Sequence, residues 1–71
     1  MQEKRIRLQD ALYGRSPRLL RVHQARQWRV SLEAADGRKV CCWIGWPSLA
    51  EAHQAAERIA LKMASEGWER C

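Results

Sequence analysis

Three cysteines and two histidines are the side chains best suited to nucleophilic or metal chemistry, and their spacing supports neither. Cys41 and Cys42 are adjacent, so on a strand they point to opposite faces and share neither a disulfide nor a zinc ion. His23 and His53 have no ligand spacing and no place in a base–nucleophile arrangement. A chain of 71 residues also leaves little room for an enclosed pocket beside its own core. We therefore predict a binding protein without metal or cofactor, not an enzyme.

The remaining candidates for chemistry are basic residues, and they are concentrated in one half of the chain. Residues 1–40 hold ten Lys and Arg against four Asp and Glu, a net charge of +6, whereas residues 41–71 have a net charge of −1. Most are arginines, whose planar donors suit phosphate and guanine. The pattern favours an anionic partner, and the alternative is a solvated surface with excess positive charge.

Residues 27–46 have the pattern of a hairpin. Three apolar residues, Trp28, Val30 and Leu32, alternate with three polar ones, Arg29, Ser31 and Glu33. A turn signal, Asp36-Gly37, and a second β-rich run, Lys39 to Trp46, follow. Alternation with a period of two is typical of a strand with one buried face, so we predict two antiparallel strands here.

The loop length decides which side chains of the second strand are buried. A two-residue loop, Asp36-Gly37, pairs Val30 with Trp43 and Leu32 with Cys41. It leaves three apolar residues on the polar face: Val40, Cys42 and Ile44. A three-residue loop with Gly37 in the left-handed position buries six together: Leu32 with Val40, Val30 with Cys42, and Trp28 with Ile44. A one-residue slip moves every side chain to the other face, so we predict the second register.

Strand and helix signals continue on both sides of the hairpin. Residues 18–23 alternate with Leu20 and Val22 inward, which predicts a further strand. Residues 1–17 form either an N-terminal arm or an extra strand. The helix is predicted over 48–66, from the Ser48–Glu51 capping box and an apolar stripe at helical spacing. Trp68 is expected to fold back on the last turn of the helix as a cap contact.

These elements predict one α+β domain spanning residues 1–71. An antiparallel meander over 18–46 has three strands, or four if residues 1–17 contribute one. The C-terminal helix covers one face of this sheet and leaves the other face open. No apolar run is long enough to span a membrane and no secretory signal is visible, so we expect a cytoplasmic protein with reduced cysteines.

The open face of the sheet is the expected working surface. The predicted register places on it Arg21, His23, Arg29, Ser31, Lys39, Cys41 and Trp43. A basic sheet face that carries an aromatic residue can enter a DNA major groove, or it can stack single-stranded bases on the aromatic ring. The alternative is that Trp43 only covers the sheet while the arginine side chains lie over it.

The order of motifs resembles a known family. The residues concerned are Trp28-Arg29-Val30, Asp36-Gly37-Arg38, Trp43-Ile44-Gly45 and Ser48-Leu49-Ala50-Glu51-Ala52. Over residues 18–64 the chain resembles the AP2-type DNA-binding domain and the similar arm-binding domains of tyrosine recombinases. The resemblance implies that the sheet contacts DNA, through Arg21, Arg29, Lys39 and Trp43. It departs from the family at Trp46-Pro47, where a short polar link is usual.

Two functions are therefore expected. The first is a small nucleic-acid-binding module, accessory or regulatory, that contacts duplex DNA through the sheet. The second is a protein-binding inhibitor or adaptor of a phage or mobile element, comparable to anti-CRISPR proteins, that uses the same Arg and Trp surface on a host protein. One domain of this size offers about 600–1,000 Å² of contact to DNA, so a homodimer or a larger complex would strengthen binding.

Overall fold

A computed structural model of the chain describes residues 3–71. Its elements are β1 (Lys4–Asp10), β2 (Arg18–Gln24), β3 (Trp28–Ala34), β4 (Lys39–Trp46), α1 (Leu49–Ala64) and β5 (Trp68–Arg70). The five strands form one antiparallel sheet in the order β4-β3-β2-β1-β5. The predicted α+β class with a C-terminal helix is confirmed. The sheet gains two strands beyond the predicted meander: β1, from the segment left as arm or strand, and β5. Residues 1 and 2 of that segment lie outside the described residues.

The core lies between α1 and one face of the sheet. Alternate residues of the inner strands are buried there: Ile6, Leu8, Leu20, Val22 and Val30. The helix meets them with small side chains, Ala52, Ala56 and Ala60, which let its backbone approach the sheet closely. Burial of each large aliphatic side chain contributes roughly 1.5–3 kcal/mol. The core therefore fixes which face of every strand remains available to a partner.

Helix α1 begins at the predicted capping box. The Ser48 hydroxyl accepts a hydrogen bond from the Glu51 backbone N–H at 3.3 Å and donates to the Glu51 carboxylate at 3.3 Å. These contacts satisfy part of the first turn, whose N–H groups have no partner within the helix. Within residues 3–71, no helix has both the length and the apolar character needed to cross a bilayer.

Trp68 follows the end of the helix and also begins a strand that was not predicted. The helix ends at Ala64, and Gly67 takes a left-handed conformation with φ of +97°. The chain then turns back along β1, where Trp68 pairs with Asp10 and is buried. Strand β5 also contacts α1, and Trp68 lines a cleft together with Ala60 and Ala64 of the helix.

The turn between β3 and β4 has the predicted three-residue loop. The Ala34 N–H donates to the Arg38 carbonyl at 2.8 Å, and Glu33 pairs with Lys39 across the strands. Gly37 has a φ of +89°, a left-handed conformation that favours glycine. The register therefore starts as predicted.

Beyond Lys39 the predicted register is wrong because β4 contains a bulge. Val40 has no partner, so Leu32 pairs with Cys41, Ser31 with Cys42 and Val30 with Trp43. Residues 41–44 of β4 therefore face the side opposite to the one predicted. Cys42 and Ile44 thus lie on the open side, while Cys41 and Trp43 lie on the helix side.

A second bulge at Gly45 turns Trp46 toward the helix as well. Arg29 pairs with Ile44 but Trp28 pairs with Trp46, which leaves Gly45 as the extra residue, with φ of +123°. Trp28, Trp43 and Trp46 all pack against the core from its edge. An indole ring buries about 150–250 Å² in a core. The bulged register therefore removes more apolar surface from water than burial of Val40, Cys42 and Ile44 would.

An ion pair stabilises the loop between β1 and β2, and a hydrogen bond joins the loop to the residues after α1. The Asp10 carboxylate accepts from the backbone N–H groups of Leu12, Tyr13 and Arg15 at 2.9–3.0 Å and pairs with the Arg15 guanidinium. Arg15 in turn donates to the Glu66 carbonyl at 3.0 Å. The hydrogen bond from Arg15, with those from the backbone, holds the pKa of Asp10 well below its usual range, although burial acts in the opposite direction.

The bulged register predicts that substitution of Trp43 lowers stability much more than substitution of its neighbour Ile44. Trp43→Ala should lower the free energy of unfolding by about 2 kcal/mol, less than the ~3–5 kcal/mol of a fully buried tryptophan, because Trp43 is half-buried. Ile44→Ala should change it by less than ~0.5 kcal/mol, because that side chain is 57% exposed. Urea denaturation of both variants measures the difference. A register without the bulge at Val40 would give the reverse order.

Candidate nucleic-acid interface

The sheet face opposite α1, called the open face below, is built from alternate residues of all five strands. The strand pairings align these side chains: Arg5, Arg7, Gln9, Leu19, Arg21, His23, Arg29, Ser31, Glu33, Lys39, Cys42, Ile44 and Glu69. Its centre is packed by neighbouring side chains, since Ser31 is fully buried and Glu33 almost so. The exposed groups lie toward β1 and β4.

Five of the seven residues predicted for the site lie on the open face. They are Arg21, His23, Arg29, Ser31 and Lys39. Cys41 and Trp43 do not, because the bulge at Val40 turns them toward α1, where they line a cleft with residues of the helix. Among residues 3–71, the open face carries no Trp, Tyr or Phe. The predicted aromatic platform is therefore absent from this surface.

The charge of the open face is positive. Its strands carry five cations, Arg5, Arg7, Arg21, Arg29 and Lys39. Three carboxylates adjoin them, Glu3, Glu33 and Glu69, which gives a net charge of +2. The remaining basic residues of the N-terminal half lie at chain turns or on the helix side. The open face thus holds half of the ten basic residues of that segment.

Arg21 is the centre of an ion-pair network on this face. It lies 3.3 Å from Glu3 and, through Nε, 3.1 Å from Glu33. The Nε–H is not directed at an acceptor, so the contact with Glu33 is a charge pair and not a directed hydrogen bond. Arg5 lies directly opposite Arg21, and Glu3 relieves their repulsion by also pairing with Arg5 at 3.2 Å. Arg21 therefore holds the network together and has little charge left for a ligand.

Three cations of the open face have no such compensation. Within residues 3–71, no carboxylate lies within 4.0 Å of Arg7, Arg29 or Lys39. The Nε of Arg29 is buried and has no hydrogen-bond partner in the described part of the chain. These three residues are the best candidates for contact with an anionic partner.

A hydrogen-bonded line crosses three strands beside Arg29. His23 Nε2 lies 2.8 Å from the Ser31 hydroxyl, which lies 3.7 Å from the Cys42 sulfur. The hydroxyl separates the imidazole from the thiol, so this line ties β2, β3 and β4 together and forms no base–nucleophile pair. Burial lowers the pKa of His23, and the charges of Arg21, Lys39 and Arg29 lower it further. The positive potential of the open face therefore adds to the effect of burial on the pKa of His23.

Residues of β1 and β4 complete the surface and were not predicted. Arg5 and Arg7 come from the run Lys4-Arg5-Ile6-Arg7-Leu8, whose period of two is visible in the sequence but competes with a helical reading that includes Ala11 and Leu12. Ile44 was assigned to the core. Only its position after the bulge places it on the open face, and no turn or propensity signal marks a bulge at Val40.

The sequence matches no family model, and no curated protein or solved structure matches it significantly.

His23 gives a pH dependence to stability. Its pKa is lowered in the folded protein, so the unfolded chain binds the proton more readily. Stability should therefore fall as pH drops through the usual histidine value near 6.5. Urea midpoints between pH 7.5 and 5.5 test this, with His23→Gln as the control that lacks the effect. A His23 pKa at or above 6.5 in an NMR titration would contradict it.

Proposed function

We propose that the protein binds duplex nucleic acid, DNA in the first instance, through the open face of its sheet. The observation that carries the proposal is the set of uncompensated cations, Arg7, Arg29 and Lys39, on one rigid surface. Phosphate contacts supply most of the affinity of such proteins, and each contact releases counterions from the duplex. A net charge of +5 for the chain adds attraction at longer range.

The sheet is wider than a DNA major groove, so different strands would contact the bases and the phosphates. Neighbouring strands lie about 4.8 Å apart, so five strands exceed the roughly 12 Å width of a major groove. Two or three central strands would enter the groove, with Arg29 nearest the base edges. Arg7 on β1 and Lys39 on β4 would then meet the phosphates on either side. Arginine can bond guanine with two donors, so Arg29 is the candidate for base contact.

The position of Trp43 changes which nucleic acid is expected. Proteins that bind single strands without sequence preference stack bases on aromatic side chains. Trp43 packs on the helix side, and the described open face offers no other indole or phenyl ring. The surface therefore favours a duplex over a single strand. An AP2-like mode of binding would depend on the arginines and Lys39 without the tryptophan.

A protein partner is the second candidate, and the edge of β4 supports it. Val40 and Ile44 are 50% and 57% exposed at this edge, next to Arg29 and Lys39. An apolar strip beside cations suits the acidic surface of another protein. The inhibitor or adaptor role would use this edge in place of the predicted Trp43. The free, exposed cysteines of the protein are compatible with either role in a reducing cytoplasm.

Substitution of Arg29 separates the two functions. Arg29→Ala should weaken binding to random duplex by roughly 1–3 kcal/mol, the value of a bidentate arginine–guanine contact, and should leave the slope of log affinity against log salt nearly unchanged. Arg58→Ala is the matched control, because Arg58 is exposed on α1 and the charge change is the same. Fluorescence anisotropy with labelled duplex at about 50 and 200 mM salt measures both.

Equal losses for the two variants would show attraction by net charge alone and would contradict the proposed interface. If the unmodified protein does not bind duplex at the lower salt concentration, the nucleic-acid function is wrong. Capture of a specific acidic protein that depends on Ile44 would then support the second candidate. Trp43→Phe should leave duplex affinity unchanged, because that ring lies on the other side of the sheet.

A further inference from the structure

On the helix side of the sheet, an open cleft lies beneath the C-terminal half of α1. Its volume is about 460 Å³, within the roughly 300–1,000 Å³ typical of small-molecule sites. Its apolar lining comes from two strands, the helix and β5: Leu32, Trp43, Ile59, Met63 and Trp68. We call it the helix–sheet cleft. It lies on the opposite side of the sheet from the proposed nucleic-acid surface.

The cleft continues along the flank of the helix. An adjoining lobe of about 220 Å³ shares Trp43, Ile59 and Lys62 with it and extends to Trp46 and Arg58. The two lobes meet at the indole of Trp43, which the bulge at Val40 turns to this side. Together they form an elongated apolar groove, whose shape suits a chain more than a compact ring.

Cations surround the mouth of the cleft. Arg15 is balanced by Asp10 and lies 4.6 Å over the Trp68 ring. The Arg18 guanidinium lies 5.5 Å over the same ring and donates only to the backbone carbonyls of residues 16 and 17. Its charge is therefore available to a ligand.

Lys62 adds a second free cation at the mouth. Within residues 3–71, no carboxylate lies within 4.0 Å of Lys62 or Arg18. Glu66 is the one acidic residue among those that line the cleft. The last turn of α1 also has a partial negative charge at its carbonyl groups, which Lys62 offsets. An anion is thus favoured between Arg18 and Lys62, whose charges offset the helix carbonyl groups and Glu66.

We propose that the helix–sheet cleft binds an apolar carboxylate of the fatty-acid type. Its hydrocarbon chain lies along Trp43 toward Trp46, and its carboxylate lies at Arg18 and Lys62. Both parts of the ligand are required: the lining recognises the chain, and the free cations at the mouth select the anion over a neutral or cationic analogue. This binding is independent of the nucleic-acid function.

Cys41 lines the cleft, so the reactivity of its thiol measures whether a ligand occupies the cleft. Its thiol is free and exposed, as are those of Cys42 on the open face and Cys71 at the C-terminus, which serve as internal controls. Alkylation of the reduced protein by iodoacetamide is followed at each cysteine by peptide mass spectrometry. Dodecanoate, below its micellar concentration, is the probe, and dodecanol and dodecyltrimethylammonium are the matched neutral and cationic chains.

Dodecanoate should slow alkylation of Cys41 by about tenfold at saturation and leave Cys42 and Cys71 unchanged. Dodecanol and the cationic chain should protect Cys41 less. Arg18→Gln and Lys62→Gln should each remove the preference for the carboxylate but keep binding of the chain. Lys62 is exposed, so its variant tests the point even if Arg18→Gln unfolds. Circular dichroism checks the fold of both.

Three results would overturn the proposal. They are equal protection of all three cysteines, protection that does not saturate, and equal protection by the anionic and cationic chains. Duplex binding in the presence of dodecanoate distinguishes the two proposals: it should not change, because the two surfaces lie on opposite sides of the sheet. Loss of duplex binding on mutation of Arg29 has no bearing on protection of Cys41.

Discussion

Strand β4 has to bury two indole rings while it runs along the edge of the sheet, and this requirement determines much of the structure. The bulges at Val40 and Gly45 meet it by turning Trp43 and Trp46 onto the helix side. Apolar burial is the dominant favourable term in folding, and in so small a domain two tryptophans are a large part of it. The bulge at Val40 also places Cys42 and Ile44 on the open face. Two local irregularities in one strand thus determine both the core and the open face.

As a consequence, cations lie on one side of the sheet and the tryptophans lie on the other. The open face holds cations and no indole or phenyl ring among the described residues, with Arg21 fixed between Glu3 and Glu33. The helix side holds the tryptophans and, at its edge, an apolar groove with free cations at its mouth. The two proposed ligands, a polyanion and an apolar carboxylate, would therefore bind opposite sides of the same small domain.

The sequence predicted the elements that depend on local signals. Ser48 and Glu51 marked the start of α1, and Gly37 marked the loop of the hairpin. It failed where tertiary packing overrides pattern. The alternation of apolar residues around Val40 fits a regular strand better than a bulged strand. The bulge forms because Trp43, in place of Ile44, packs against the helix, and this depends on tertiary packing. Strand β5 was also missed, because its pairing partner, β1, is distant in the sequence. Two of the seven predicted site residues lie off the open face for the first of these reasons.

The most direct test of the account is an NMR titration of protein labelled at isoleucine methyl groups with a short random duplex at low salt. The three isoleucines lie in different environments: Ile44 on the open face, Ile6 in the core and Ile59 in the helix–sheet cleft. The account predicts that the Ile44 methyl signal moves on binding while those of Ile6 and Ile59 stay in place. A shift at Ile59 without one at Ile44, or an Ile44 signal already buried against the helix in the free protein, would contradict both the register and the proposed surface.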